Sequence, residues 1–320
     1  MLTSRKLITW VLGGATFLVC GYLVVGSWQG ARILEQTLRV GAATVQNSGW
    51  PAPERPEDIG YEGDPNAAFG YSFETVGIDG ELGSMPAWLV PAANSDSAKP
   101  WAIFVHGIGG RRENGYRFLP TLHEAGLPVL LISYRNNSDA PADPSGLYAF
   151  GLTEWRDLEA AVNYAVAAGA PSVVLVAESM GGGIAGQFLQ RSDSATAVSA
   201  VVLDAAANDF AGILAAQMQQ MKLPLAPWLA QGALWFSGIT APIRLADAET
   251  VGTFAGFDGP LFLSHGSTDR VVPVSSSDVL VAQRQGVTSY LRTEADHIQS
   301  WHADPARYDA NLSAFLLAVD

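Results

Sequence analysis

A strand-turn-helix pattern at residues 173–188 places the strongest constraint on how this chain can fold. It begins with the run Val-Val-Leu-Val at 173–176, which is typical of a strand buried on both faces of a sheet. The corner Ala-Glu-Ser-Met-Gly follows at 177–181, and a segment with helical spacing then runs from Gly182 to Arg191. The pattern predicts a buried strand and a helix, joined by a tight turn that carries Ser179.

The small residues at this corner match what a reactive serine needs. In the nucleophile elbow, whose usual pattern is G-x-S-x-G, the serine occupies a strained turn with its hydroxyl exposed, and the strand and helix crowd each other around it. Gly181 fits the pattern, whereas Ala177 stands where glycine is usual and adds one methyl group to the crowded corner. We therefore predict that Ser179 is a nucleophile.

From Trp101 onward, apolar runs of strand length alternate with segments of helical spacing. Repeated strand-helix units predict an α/β fold, in which a mostly parallel sheet is covered by helices on both faces. Two alternating runs before them flank Asp79-Gly80 and predict a hairpin. The predicted strands are 71–78, 85–90, 102–105, 129–134, 173–176, 200–204, 261–264 and 288–293, and the predicted helices are 116–124, 153–167, 182–191, 275–285 and 304–319.

Three further stretches stand where a serine nucleophile needs partners. The sequence His-Gly-Ile-Gly-Gly at 106–110 follows a predicted strand, and its glycines let a backbone N–H approach the oxygen of a tetrahedral intermediate. Asp269 and His297 each follow a later predicted strand. Because open α/β sheets bind ligands at the carboxyl ends of their strands, we expect these stretches to meet Ser179.

The residue types suit nucleophilic catalysis. A serine hydroxyl is a poor nucleophile at neutral pH, so it needs an imidazole to take its proton. The imidazole needs a carboxylate that fixes its tautomer and stabilises its cation. The chain order Ser179, Asp269, His297 is the order found in elbow hydrolases. We predict these three as a catalytic triad, with the backbone N–H groups of Ile108 and Met180 as the oxyanion hole.

Other ionisable residues could fill some of these roles. His302 is the alternative to His297 as the base, and Asp204 or Glu178 could replace Asp269 as the acid. We favour Asp269, because Glu178 could reach the imidazole only through an unusual loop. Residues for which we expect packing or solvated positions are His106, His265 and Asp296.

Four motifs in this order resemble the α/β-hydrolase superfamily. They are F-V-H-G-I-G-G at 104–110, A-E-S-M-G-G at 177–182, L-S-H-G-S-T-D at 263–269 and A-D-H at 295–297. The resemblance covers the chain from about residue 71 to its end, and it looks nearest to the membrane-anchored ABHD-type serine hydrolases. It implies the α/β-hydrolase fold with serine esterase, lipase or thioesterase chemistry, and no metal or organic cofactor.

A long apolar segment at 208–257 interrupts the strand-helix alternation. In the fold that this chain resembles, such a segment commonly forms a cap over the serine, although an ordinary packed helix pair would have the same composition. Methionine and aromatic side chains adapt to acyl chains, which favours a lipophilic ester as substrate. The apolar residues of the segment include Ile213, Leu214, Met218, Met221, Leu223, Leu225, Trp228, Leu229, Leu234, Trp235 and Phe236.

The N-terminal segment predicts a membrane anchor. Residues 7–26 are almost wholly apolar, and about twenty such residues span a bilayer core of about 30 Å as a helix. Arg5 and Lys6 precede this run, so the positive-inside rule places the N-terminus in the cytoplasm and the body of the chain outside, although Arg32 and Arg39 follow on the far side. A cleaved signal peptide is the alternative, but the run is long and ends in a poor cleavage site.

Charge and cysteine content narrow the range of partners. The net charge is −13, no acidic residue precedes Arg32, and no cluster of Lys or Arg offsets the acidic body of the chain. Such a surface repels phosphate backbones, so we do not expect nucleic acid as a partner. Cys20 is the only cysteine, which excludes an intramolecular disulfide and a catalytic thiol in the folded domain.

The sequence therefore predicts three parts. These are an anchor at 1–31, a linker or N-terminal arm at 32–70, and an α/β-hydrolase domain at 71–320 with its cap at about 208–257. The Pro-rich part of the arm would act as a spacer that holds the acidic domain off an anionic bilayer. We expect hydrolysis of an ester or thioester with an apolar acyl group. The alternatives are an acyltransferase, a serine peptidase, or a binding protein on the same fold.

Overall fold

The computed structural model of the chain describes residues 2–42, 50–93 and 99–319, with side chains from Ile8 onward. The strands are β1 (Glu74–Gly80), β2 (Gly83–Val90), β3 (Trp101–Val105), β4 (Val129–Ile132), β5 (Val173–Glu178), β6 (Val198–Asp204), β7 (Leu261–Gly266) and β8 (Thr288–Thr293). The α-helices are α1 (Leu2–Thr37), α2 (Pro65–Phe69), α3 (Leu119–Glu124), α4 (Trp155–Ala167), α5 (Met180–Arg191), α6 (Phe210–Gln220), α7 (Ala226–Thr240), α8 (Val251–Ala255), α9 (Ser275–Gln283), α10 (Ser300–Ala303) and α11 (Pro305–Leu317).

The described strands form one eight-stranded sheet in the order β1-β2-β4-β3-β5-β6-β7-β8. The first two strands are antiparallel, and from β4 onward neighbouring strands are parallel. The predicted hairpin closes where Gly80 pairs with Gly83. The prediction of an α/β-hydrolase fold with a mostly parallel sheet is confirmed.

One predicted helix begins later than its pattern suggested. The prediction was a helix at 116–124, whereas the structure has a 3₁₀ helix at Arg112–Arg117 and α3 only from Leu119. Pro120 explains the difference, because a residue without a backbone N–H fits the first turn of an α-helix and breaks its interior.

The strand β5 lies at the centre of the sheet, and all six of its residues are buried. Its end is held in register on both sides, since Ala177 pairs with Val105 of β3 and with Leu203 of β6. The predicted apolar face of α4 also packs into the core, through Leu158, Ala161, Val162 and Ala165. The position of β5 fixes the place where the chain turns at Ser179.

The N-terminal helix α1 is long and apolar enough to cross a membrane, and its second half packs against α7 of the inserted segment. Small residues allow the close approach. A Cβ at Gly26 would lie 2.8 Å from a methyl carbon of Leu229, and a Cβ at Gly30 would lie 3.2 Å from the Cβ of Ala233. The helix continues to Thr37, so residues 32–37, the first part of the predicted linker or N-terminal arm, are helical.

The end of α1 is also joined to the loop at 147–152. Arg39 and Leu147 form an isolated antiparallel bridge, in which the Tyr148 N–H donates to the carbonyl oxygen of Leu38 at 2.9 Å. Leu34 and Leu38 are buried beside this bridge. The inserted segment and α1 therefore pack on the domain as one unit.

The Pro-rich arm does not separate α1 from the domain. Part of the predicted spacer, residues 47–49, lies outside the described residues, and from Trp50 onward the arm packs on the domain. Ile59 is buried against Ala205 and Ile298, and the Tyr116 hydroxyl donates to the carbonyl oxygen of Gly63 at 2.6 Å. The arm therefore does not act as the predicted spacer, because α1 contacts α7 of the domain directly.

The contact between α1 and α7 can be tested at two glycines of α7. A Cβ at Gly232 would clash with the Ser27 hydroxyl and lie 2.7 Å from Ser27 Cβ, whereas a Cβ at Gly238 would meet only a carbon of Arg244 at 3.9 Å. We expect Gly232→Ala to lower the free energy of unfolding by about 1–3 kcal/mol through overpacking. Gly238→Ala should leave it unchanged or raise it by up to about 1 kcal/mol, because alanine favours helix.

Thermal and denaturant unfolding of the full-length protein in detergent would measure both changes. Equal effects of the two substitutions would contradict the close packing of α1 against α7.

Candidate active site

Ser179 lies on the corner between β5 and α5, in a backbone conformation that few residues adopt. Its φ is 48° and its ψ is −121°, which is strained for a residue with a side chain. Glycine at 181 is required because a Cβ there would clash with the carbonyl oxygen of Val105. The corner is fixed to β6 by the Ser179 N–H, which donates to the carbonyl oxygen of Asp204 at 3.0 Å.

Ala177, the departure from the usual elbow pattern, does not disturb the corner. It is the fifth residue of β5, fully buried, and paired with both neighbouring strands. The close contacts lie instead at the start of α5, at Gly181 and Gly182. A Cβ at Gly182 would clash with the Ala206 methyl group. An alanine at 177 is therefore compatible with the tight turn.

The structure brings Ser179, His297 and Asp269 together in one hydrogen-bonded chain. His297 Nε2 lies 2.9 Å from Ser179 Oγ, and His297 Nδ1 lies 2.8 Å from Asp269 Oδ2. The three side chains follow β5, β8 and β7, so the carboxyl ends of three parallel strands supply them. Ser179 and His297 are nearly buried, and the Asp269 side chain has no solvent exposure.

Asp269 is held as an acceptor by four donors. The N–H groups of Val271 and Val272 each donate to Oδ1 at 2.8 Å, while His297 and His265 approach Oδ2 at 2.8 and 3.2 Å. Burial raises the pKa of Asp269, but the hydrogen bonds from His265 and His297 outweigh it and hold the pKa well below its usual value. Asp269 therefore faces the imidazole of His297 as a carboxylate.

His265 has a defined orientation behind this carboxylate. Its Nε2 faces the carbonyl oxygen of Val272 at 3.0 Å as well as Asp269, so it has two acceptors, whereas Nδ1 lies 2.7 Å from the Ser277 hydroxyl. This arrangement places the proton on Nε2 and makes Nδ1 an acceptor. The predicted packing role of His265 thus includes a direct hydrogen bond to Asp269, which sequence reasoning missed.

The glycine loop at 106–110 runs directly against Ser179. A Cβ at Gly107 would lie 3.0 Å from Ser179 Cβ, so only a glycine allows this approach without a shift. Ile108 is the next residue of the loop, and Met180 is the first residue of α5, where helix N–H groups have no partner within the helix. The two predicted oxyanion donors therefore belong to segments that flank the serine.

A buried ionic cluster supports the glycine loop from beneath. Glu178 accepts hydrogen bonds from the Gly107 N–H at 2.9 Å and from Asn114 Nδ2 at 2.8 Å, and it forms an ion pair with Arg117. Arg117 also pairs with Asp204 at 2.9 Å, and the side chains of all three charged residues have no solvent exposure. Burial raises the pKa of Glu178, but the Arg117 charge and the hydrogen bonds lower it below its usual value.

Sequence reasoning missed this cluster, because its three charged residues are far apart in the chain. The cluster also argues against the two alternatives to Asp269 as the acid, because Glu178 and Asp204 both form ion pairs with Arg117. The alternative base is likewise engaged elsewhere, because His302 Nε2 lies 3.2 Å from Asp58. Of the candidates weighed, Asp269 and His297 are the ones hydrogen-bonded toward Ser179.

Two further polar residues support the loops around the site. His106 stacks on Tyr134 with ring centroids 4.2 Å apart, and its Nδ1 and Nε2 lie 2.8 and 3.0 Å from Gly107 O and Asn137 Oδ1, so it packs beneath the glycine loop as expected. Asp296 is a partly exposed loop acid as expected, but it also has defined partners. It pairs with Arg270 and accepts the His297 N–H at 2.8 Å, which connects the loops after β7 and β8.

An apolar cluster adjoins the glycine loop on the side of the inserted segment. Ile108 and Phe150 pack against it, and Phe150 meets Phe210 with ring centroids 4.5 Å apart. The buried members of the cluster are Leu34, Leu38, Leu147, Ala149, Phe210, Leu234, Ile243, Leu245 and Ala248. Residues from α1, from the 147–152 loop and from the insertion thus form one apolar region beside the serine.

No group of three or more His, Cys, Asp and Glu side chains is arranged to hold a metal ion within the part of the chain that the structure describes. The polar groups around Ser179 are instead hydrogen-bonded to one another, as described above.

Comparison with known proteins points to one family. A model of the alpha/beta hydrolase fold matches residues 100–233. An esterase of Pyrococcus furiosus is 19% identical with a TM-score of 0.60, and the match covers 83% of this chain and 99% of the esterase. Est1E of Butyrivibrio proteoclasticus, solved with ferulic acid, is 16% identical with a TM-score of 0.59, over 76% and 98% of the two chains.

A similar structure also covers the N-terminal helix. A membrane phospholipase A, described as a novel bacterial virulence factor, is 20% identical with a TM-score of 0.54, and the match covers 99% of both chains. None of the curated proteins matches the chain in sequence.

The buried cluster makes a testable prediction about Glu178. Glu178→Gln keeps the size of the side chain but leaves Arg117 with one carboxylate instead of two, so we expect the free energy of unfolding to fall by about 3 kcal/mol. The control is Glu62→Gln, which removes an exposed ion pair with Arg111 and should cost less than about 1 kcal/mol. Denaturant unfolding of both variants measures the difference, and similar small losses would argue against a structural role for the cluster.

Proposed function

We propose that the chain is a member of the α/β-hydrolase superfamily and a serine hydrolase that cleaves an ester or thioester of a lipophilic acyl group. The observation that supports this proposal best is the hydrogen-bonded chain from Ser179 through His297 to Asp269. A nucleophile in contact with a base, and a base in contact with an orienting carboxylate, are the arrangement that acyl transfer through serine requires.

The proposed reaction proceeds through an acyl-enzyme. His297 Nε2 takes the Ser179 proton as Oγ attacks the carbonyl carbon, and the N–H groups of Ile108 and Met180 hold the negative oxygen of the tetrahedral intermediate. The intermediate collapses as His297 donates its proton to the leaving alcohol or thiol. A water molecule then attacks the acyl-enzyme with His297 again as the base, and Ser179 is released. Asp269 keeps the His297 Nδ1–H oriented and stabilises the imidazolium.

The proposed substrate class rests on the apolar cluster beside the glycine loop. A carbonyl bound near the N–H of Ile108 would place its acyl chain next to Phe150 and Phe210. Apolar pockets with few polar groups favour lipophilic ligands. The similar structures of an esterase and a membrane phospholipase A are consistent with this proposal.

We further propose that α1 remains on the protein as a membrane anchor, with the N-terminus in the cytoplasm and the hydrolase domain outside. The contacts with the inserted segment begin inside the apolar run, where the Tyr22 hydroxyl donates to the carbonyl oxygen of Pro224 at 2.8 Å and Gly26 meets Leu229. Cleavage of a signal near Ser27 would remove these contacts. Arg5 and Lys6 support the orientation.

The roles of the triad are tested by substitution. Ser179→Ala should abolish fluorophosphonate labelling and hydrolysis of p-nitrophenyl esters without unfolding the protein. We expect His297→Ala and Asp269→Asn to lower kcat by several powers of ten, with the histidine change no milder than the acid change. His302→Ala is the control and should retain activity. Labelling that survives in Ser179→Ala, or a loss confined to His302→Ala, would refute these roles.

The anchor is tested by fractionation and protease treatment. We expect the full chain to stay in the membrane fraction through carbonate and high-salt washes, because a helix of about twenty apolar residues inserts into the bilayer instead of binding by charge. Protease added to intact spheroplasts should digest the hydrolase domain. Protection of the domain until lysis would reverse the orientation, and a soluble chain starting near Ser27 would show a cleaved signal.

A further inference from the structure

The loop between α6 and α7, together with the first turn of α7, carries large exposed apolar side chains. Met221, Leu225 and Trp228 are 65, 45 and 70% exposed, and Trp235 on the next turns of α7 is 64% exposed. These four residues, with Lys222, are called the α6–α7 surface below. Exposed tryptophans on one surface are unusual for a protein in water, and large exposed apolar patches mark interaction sites.

The packing of α1 determines where this surface lies along the anchor. Tyr22 contacts Pro224, Gly26 meets Leu229, and Gly30 meets Ala233. The paired positions advance together along both helices, so α1 and α7 run parallel and side by side. Trp228 therefore lies at the level of α1 between residues 22 and 26, which are the last residues of the apolar run.

The level of the outer bilayer boundary follows from the anchor itself. Trp10 and Trp28 are both exposed, and they lie about 27 Å apart along a helix that rises about 1.5 Å per residue. This separation is close to the thickness of a bilayer core, and tryptophans concentrate at its two boundaries. The first charged residue beyond the run is Arg32. An anchor positioned in this way places Trp228 just inside the outer boundary, with Trp28 and Trp235 near it.

The shape of the α6–α7 loop is fixed by its own hydrogen bonds. The Leu223 N–H donates to the carbonyl oxygen of Met218 at 3.0 Å, and the Trp228 N–H donates to that of Leu225 at 2.9 Å. Pro224 and Pro227 restrict the backbone further. The apolar side chains are therefore presented to the outside without any rearrangement of the loop.

We propose that the α6–α7 surface inserts into the outer leaflet of the bilayer that α1 spans. This inference rests on the proposed anchor and adds a second membrane contact to it. Met221, Leu225 and Trp228 enter the boundary between headgroups and acyl chains, and Lys222 reaches back to the lipid phosphates. Because the body of the chain is acidic, this contact depends on apolar insertion and forms on zwitterionic phosphatidylcholine, which has no net charge.

The contact has a consequence for the substrate. The α6–α7 hairpin supplies Phe210 and Leu234 to the apolar cluster that reaches Ile108 beside the serine. One hairpin thus borders the bilayer on its outer surface and the proposed acyl site on its inner surface. An ester dissolved in the bilayer reaches the site along this hairpin, whereas a short soluble ester enters from water.

Depth measurements test the insertion. In a Cys20→Ser background, the full chain carries Leu225→Cys, Trp228→Cys or Val287→Cys, each labelled with a nitroxide and reconstituted in phosphatidylcholine vesicles. Val287 is 67% exposed and directly precedes β8. It therefore lies at the amino end of the parallel strands, whereas Ser179 lies at their carboxyl end. Labels at 225 and 228 should be more accessible to oxygen than to a water-soluble nickel complex, and the label at 287 should show the reverse.

The native Cys20, exposed on α1 within the apolar run, separates the two proposals. If a label on Cys20 lies in the bilayer while labels at 225 and 228 are as accessible to nickel as the label at 287, the insertion is refuted and the anchor stands. If the label on Cys20 is itself in water, the anchor fails and the insertion fails with it.

Activity gives an independent test on the same surface. The double variant Leu225→Ser, Trp228→Ser should hydrolyse a long-chain fluorogenic ester held in phosphatidylcholine vesicles at least tenfold more slowly than the unmodified protein. Hydrolysis of soluble p-nitrophenyl butyrate should be unchanged, and Val287→Ser should change neither rate. An equal loss on both substrates, or no loss on vesicles, would refute a membrane role for this surface.

Discussion

The close crossing of the elbow helix over the central strands is the constraint on which the rest of the site depends. Gly181 allows α5 to begin directly beside the carbonyl oxygen of Val105, and Ser179, two residues earlier, has a strained conformation at this crossing. Such a conformation persists only where the surrounding structure determines it. Here the register of β5 with its neighbours and the hydrogen bonds of the corner to β6 provide that support.

The same corner explains why a charged cluster is buried in this sheet. Glu178 lies next to the serine, and its side chain is hydrogen-bonded to the glycine loop. A carboxylate there can hold the Gly107 N–H in place, but its burial is favourable only with a paired charge, which Arg117 supplies. The cluster therefore connects the glycine loop to the corner at Ser179, the two segments that carry the proposed oxyanion donors.

The sequence was informative wherever a local pattern determined the structure. Strand and helix periodicity predicted each strand of the sheet, and the elbow pattern located the corner at Ser179. The chain order of Asp269 and His297 was enough to predict that they would lie near it. Their catalytic roles remain proposals that the substitutions described above address.

Contacts between distant segments were not predictable from such patterns. The pairing of Arg117 with Glu178 and Asp204 depends on three elements that no periodicity connects. The contact of α1 with α7 did leave a signal, because Gly26 and Gly30 are four residues apart in an apolar helix, as are Ser27 and Ala31. That spacing indicates a helix-packing face but does not identify the partner helix.

Because the partner of α1 is α7, the N-terminal helix does more than tether the domain. A tether joined through a flexible spacer would leave the domain free to take any orientation toward the bilayer. Here α1 packs on α7, and its end is bridged to Leu147, so the orientation of the proposed anchor in the membrane would also set the orientation of the inserted helices. Since Leu34 and Leu38 of the α1 end are part of the apolar cluster beside the serine, removing the helix would also open one wall of the proposed acyl site.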